Sequence, residues 1–116
     1  MNGDSDFTKV CKYSELKEKI GQRFLVNETD IAVFKVDGKI YALSNICLHQ
    51  KAQIICDGFI EDGTVTCPAH GWQYDLATGR IANGINGLDS YEVKLEGNDV
   101  FVKVIRKGFQ WILQTK

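Results

Sequence analysis

Ile31-Ala32-Val33-Phe34-Lys35-Val36, followed by Asp37-Gly38 and then Lys39-Ile40-Tyr41-Ala42-Leu43, is the stretch that sets the fold class. Its β-branched and aromatic residues suit extended backbone. Asp-Gly supplies the two positive φ angles that a tight two-residue hairpin turn demands. An antiparallel pair of strands is therefore predicted at the centre of the chain. A second hairpin is predicted near the end, from Tyr91-Glu92-Val93-Lys94-Leu95 through Gly97-Asn98 into Val100-Phe101-Val102-Lys103-Val104. Before the first hairpin, Phe7-Thr8-Lys9-Val10-Cys11 alternates as a half-buried strand should. Ser14 and Gly21 bracket a short predicted helical stretch, Glu15 to Lys19, with Leu16 and Ile20 on one side. The expected fold is all-β, an antiparallel sandwich or partly open barrel.

Residues 44–88 break this pattern. They hold both His, three of the four Cys, the only Pro and several Gly. Loops on a rigid sheet are where sites concentrate, so this segment is read as a small site-bearing subdomain inserted in the β base. No repeat, low-complexity block or linker divides residues 1–116, which are read as one domain. The final apolar stretch, Phe109-Gln110-Trp111-Ile112-Leu113, reads first as a tail covering the core and second as a partner-docking patch.

The 116 residues are 44% hydrophobic and 25% charged, as in folded, water-soluble proteins. Fourteen Lys and Arg against fifteen Asp and Glu leave a net charge of -1, which argues against a nucleic-acid binder. No apolar run approaches the roughly 20 residues of a membrane span. The start, Met1-Asn2-Gly3-Asp4-Ser5-Asp6, lacks the basic and apolar regions of a signal peptide. A cytoplasmic location is expected, and in that compartment Cys points to metal or catalytic thiols rather than disulfides.

The chemistry is concentrated in Cys47-Leu48-His49 and Cys67-Pro68-Ala69-His70. Each segment offers one thiolate and one imidazole. Zinc fingers usually take a Cys pair from one segment and a His pair from another, whereas unlike ligands on each of two loops suit a binuclear site. Soft thiolates favour iron–sulfur chemistry, and imidazole also binds iron. A mononuclear structural zinc site and a Cys–His nucleophile stand as alternatives; for the second, no third orienting group is evident. Cys11 and Cys56 have no His or Cys at a bonding interval and read as small apolar residues. Asp57, Glu61 and Asp62 read as a solvated face, and Gln50 as a surface residue.

The C-x-H and C-x-x-H spacing, with its continuation Gly71-Trp72-Gln73-Tyr74-Asp75, resembles the Rieske [2Fe–2S] proteins. The resemblance is specific over about residues 44–82 and looser to about residue 104. It implies one [2Fe–2S] cluster per chain, with Cys47 and Cys67 on the inner iron and His49 and His70 on the outer, nearer the surface. Within that frame Pro68 holds Cys67 extended, Gly71 allows close backbone approach, and Trp72 limits access of water. Asp75 and Thr78-Gly79 return the chain to the base.

The sequence also departs from part of that family. Rieske proteins of respiratory and photosynthetic complexes carry an extra Cys on each loop, joined as a bridge; Ala52 and Ala69 stand at the matching positions. Trp72 replaces a Ser that donates to a bridging sulfur, while Tyr74 stands at the other hydroxyl position. Fewer donors near sulfur make reduction harder, so a potential near the low end of the Rieske window, roughly −150 mV or somewhat below, is expected. The stretch Asn83-Gly84-Ile85-Asn86-Gly87-Leu88 lacks the Pro that related ferredoxins often have in a third loop. The potential should also fall with pH once the oxidised-state imidazoles ionise.

No Gly-x-Gly-x-x-Gly fingerprint is evident, and both His are engaged. The resemblance therefore implies an electron-transfer component rather than an enzyme: a monomeric carrier between a flavin reductase and a terminal acceptor, for which an oxygenase is the family-level expectation. The alternative it implies is a small Rieske-like subunit of a nitrite reductase or other multisubunit oxidoreductase.

Overall fold

Asp30, Ile31, Ala32, Val33 and Phe34 are all buried, so this strand has no solvent face. In a computed structural model of the chain, residues 7–46, 54–68, 71–81 and 87–104 are described. The strands among them are β1 (Phe7–Lys12), β2 (Gln22–Val26), β3 (Thr29–Val36), β4 (Lys39–Ser44), β5 (Phe59–Glu61), β6 (Thr64–Thr66), β7 (Gln73–Asp75), β8 (Ser90–Glu96) and β9 (Asp99–Lys103). Two single turns of 3-10 helix, Tyr13–Glu15 and Ile55–Asp57, complete the elements.

The larger sheet runs β1-β9-β8-β4-β3-β2, with every pairing antiparallel. It curls until β1 approaches β2, giving an almost closed barrel. Side-chain bonds cross the remaining gap: Asn27 Nδ2 donates to the Val104 carbonyl, and Gln22 Nε2 of β2 donates to the Glu15 carbonyl just after β1. The predicted hairpins form in register. Asp37 and Gly38 adopt φ of 53° and 81°, and Phe34 pairs with Tyr41 across the turn.

The second sheet, β5-β6-β7, lies within the segment read from sequence as irregular. Its first turn is Asp62-Gly63, with φ of 52° and 77°, the same device as Asp37-Gly38. Asp57, Glu61 and Asp62 are solvent-exposed, as expected; Glu61 precedes this turn and Asp62 is its first residue.

Two cores follow from the alternation of β3 and β4. Ile31, Val33 and Ala42 face the barrel interior, with Cys11, Leu16, Val100 and Val102. Ala32, Phe34 and Leu43 face the other way and bury Ile55, Val65, Cys67, Tyr74, Leu76 and Leu88 of the small sheet and its flanks. Strands of three residues are marginal alone. The small sheet therefore stands because β3 lends it a wall.

The predicted helix Glu15 to Lys19 does not form. Leu16 is extended and buried in the barrel, Lys19 has φ of 64°, and Ile20 is exposed. Five residues yield too few hydrogen bonds to offset helix nucleation, whereas pairing is available: Lys19 N–H donates to the Lys35 carbonyl at 2.7 Å. Ser14 serves the Asn98 contact instead of a helix cap.

Candidate metal centre

Cys67 sits at the end of β6, where the chain turns toward β7. Its N–H donates to the Trp72 carbonyl at 2.7 Å, and its carbonyl accepts from Gly71 N–H at 2.9 Å. Gly71 takes φ of 76°, a conformation that L side chains resist. These bonds close a tight turn and fix the Cys67 side chain, which is fully buried. Beside it opens a hollow of about 290 Å³, lined by Asp57, Phe59, Thr66, Cys67, Pro68 and Gly71. The residues that follow the first Cys/His segment and those of the second thus meet at one end of the small sheet. A buried soft sulfur donor on a constrained turn, facing a hollow, is chemically suited to an iron–sulfur cluster.

The other three predicted ligands, Cys47, His49 and His70, lie outside the described residues, as do Gln50, Ala52, Ala69, residues 82–86 of the third-loop stretch and the Phe109–Leu113 tail. The base of the first loop is nevertheless well defined. Asn45 leaves β4 fully buried, and its carbonyl accepts from Ile55 N–H at 3.1 Å. Its side-chain Oδ1 accepts from Cys56 N–H at 2.7 Å. The chain entering and the chain leaving the segment 46–54 are therefore held together at one residue.

Asn45 is in turn fixed to β3. Its Nδ2 donates to Asp30 Oδ1 at 2.9 Å, and its N–H donates to the Asp30 carbonyl at 2.9 Å. Arg23 of β2 grips the same carboxylate, with Nε 2.9 Å from both oxygens and a terminal nitrogen 2.8 Å from Oδ2. Burial alone pushes the Asp30 carboxyl upward, but the hydrogen bonds from Arg23 and Asn45 and the Arg23 charge bring it below its ordinary value. Sequence reading passed over these residues. The available signal was an acid, Asp30, at the head of an apolar strand.

Other assignments hold. Cys11 is buried in the barrel and Cys56 is partly buried against the second core. Burial is the first cause raising both thiols, with Glu15 adding for Cys11 and Asp57 for Cys56. Both are thereby kept as inert thiols. Asp75 Oδ1 accepts from Ala77 and Thr78 N–H at 2.8 and 3.0 Å, making the predicted return turn. Tyr74 is fully buried opposite Val65, and Trp72 is 37% exposed on the turn after Cys67.

This fold is that of a family: residues 6–105 match the Rieske [2Fe-2S] domain, and the chain belongs to it. Its class is that of the Rieske ferredoxins, electron carriers with one [2Fe–2S] cluster per chain. The chain is 31% identical over 100 residues to the ferredoxin component of the alkene monooxygenase system of Xanthobacter autotrophicus, covering 85% of this chain and 82% of that protein. It is 37% identical over 79 residues to the ferredoxin component of the naphthalene 1,2-dioxygenase system of Pseudomonas aeruginosa, covering 66% and 75%. Among solved structures, a chain from a complex of reduced oxygenase and oxidized ferredoxin in carbazole 1,9a-dioxygenase superposes with a TM-score of 0.75 at 26% identity, covering 88% of this chain and 94% of that one. The small subunit assigned to an NADH-dependent nitrite reductase of Mycobacterium tuberculosis superposes with a TM-score of 0.81, covering 85% and 95%. At 20% identity that likeness is one of fold. Among the described residues no helix is long and apolar enough to cross a membrane.

Proposed function

We propose that Cys47 and Cys67 hold the inner iron and His49 and His70 the outer iron of the cluster, within a subdomain of about residues 44–88 of a single domain. The chain then passes single electrons from a flavin reductase to a terminal oxygenase, as a monomer in the cytoplasm. The observation that carries this reading is the fully buried Cys67 thiol on its clamped turn, beside the hollow that faces the first loop's flank. The cluster supplies reversible one-electron chemistry.

The protein's own residues bind, orient and shield. The Cys67–Trp72 and Gly71–Cys67 bonds hold the second loop, and the Asn45 bonds hold the base of the first. The second core excludes water from beneath. Phe59 is 71% exposed and, with the exposed Pro68 and Trp72, gives the cluster end an apolar rim. A rim of a few such residues fits the small, transient interfaces of redox partners better than a permanent subunit contact.

The test is anaerobic purification followed by metal analysis, optical spectroscopy and electron paramagnetic resonance of the reduced protein, with His49→Ala and His70→Ala alongside. Two irons and acid-labile sulfide per chain are expected, and each substitution should abolish the native signal. A colourless protein with one zinc, or a centre indifferent to either substitution, would overturn the ligand assignment.

A further inference from the structure

We infer that Arg23, Asp30 and Asn45 are positioning residues for the cluster, a clamp whose role is to hold the first ligand loop in register with the second. The inference rests on the ligand assignment proposed above.

Three observations converge on it. First, Asn45 stands where the chain enters the segment carrying Cys47 and His49 and bonds to where it leaves, through its carbonyl to Ile55 N–H and its side chain to Cys56 N–H. Second, Asn45 is tied to a strand with no freedom to move, since β3 is packed on both faces. Third, the tie uses a carboxylate whose side chain is only 5% exposed, neutralised by an arginine that is half in water.

A buried charge is a poor way to stabilise a fold. Its desolvation offsets most of the attraction, and a well-packed apolar replacement often serves as well or better. What a charged, bidentate pair supplies is direction: the planar guanidinium fixes the carboxylate plane, the carboxylate fixes the Asn45 amide, and the amide fixes Cys56. Partners at this remove from a metal set the orientation of its ligands, and their loss typically costs 10–100-fold in metal affinity or activity.

The experiment compares holoprotein variants Asn45→Ala and Arg23→Gln with Val102→Ala, a barrel substitution remote from the clamp. Arg23 lies at the surface, so Arg23→Gln keeps the question open if Asn45→Ala does not fold. Each variant is ranked by denaturant unfolding, then assayed for iron release to a chelator and for the reduced-state paramagnetic spectrum and reduction potential. Release from the clamp variants should be roughly 10–100-fold faster than from Val102→Ala at matched global stability. Spectrum and potential should shift only in the clamp variants, and Arg23→Lys should restore part of the loss. Release that merely follows global stability, with spectrum and potential unchanged, would show that the clamp serves the fold alone. If the unaltered protein lacks a two-iron centre, or if His49→Ala retains it, the ligand assignment fails instead, and the two failures are distinguishable.

Discussion

Phe34 and Val33 are neighbours on one strand, both fully buried, yet they face different cores. Truncating each should have separable consequences. Val33→Ala removes two methyl groups from the barrel, about 2 kcal/mol with the cavity left behind. Phe34→Ala removes a ring from the wall beneath the small sheet, about 3–5 kcal/mol. Both fit within a total stability of about 5–15 kcal/mol. Native-state hydrogen exchange tells them apart. The amides of Cys67 and Leu76, bonded to the Trp72 and Gly63 carbonyls, report opening of the small sheet, and the slowest amides of β3, β8 and β9 report global unfolding. If the small sheet opens as a unit while the barrel stays shut, Val33 keeps its contacts in that open form. Val33→Ala should then accelerate the barrel amides about thirtyfold and leave Cys67 and Leu76 unchanged. Phe34→Ala should accelerate both sets, by roughly two to three and a half orders of magnitude at 1.4 kcal/mol per tenfold. Where the Cys67 and Leu76 amides exchange faster than the slowest barrel amides in the unaltered protein, equal acceleration of both sets by Val33→Ala would refute the two-core reasoning.

Three other outcomes are expected. Asp30 titrates below its ordinary value in the folded chain, so the unfolded chain binds the proton first as pH falls; the stability this group contributes is present above the ordinary carboxylate range and is lost toward lower pH, and Asp30→Asn should flatten that part of an acid-unfolding curve. Tyr91 is pushed up to about 12 by burial and then by the Asp89 carboxylate, so between about pH 10 and 12 the unfolded state loses its proton first and stability falls; Tyr91→Phe should remove a late-titrating phenol from the ultraviolet titration and reduce that loss of stability. A redox titration should place the cluster near the low end of the Rieske window, roughly −150 mV or somewhat below; a clearly positive value would contradict the reasoning from Trp72 and the two alanines.

Two kinds of information were written locally in the chain. The Asp37-Gly38 turn is legible because the dipeptide itself tolerates the required positive φ angles, and the strands beside it follow from residue type. The Cys/His spacing is legible because ligand chemistry belongs to side chains. The same turn chemistry was present at Asp62-Gly63, but its flanking strands are only three residues long, too short for a period to emerge.

What tertiary structure alone decided is how the pieces bear on one another. Burial of β3 on both faces depends on a second layer, and no pattern within the strand says that the layer exists. Leu16 carried a helical spacing with Ile20, yet a place in the barrel and pairing with β3 outweighed five residues of helix. Asp30 and Asn45 are unremarkable apart; only when the barrel brings β2, β3 and the end of β4 together do the guanidinium, carboxylate and amide form one chain of hydrogen bonds. Spacing in sequence fixes which donors are available, and packing fixes where they are held.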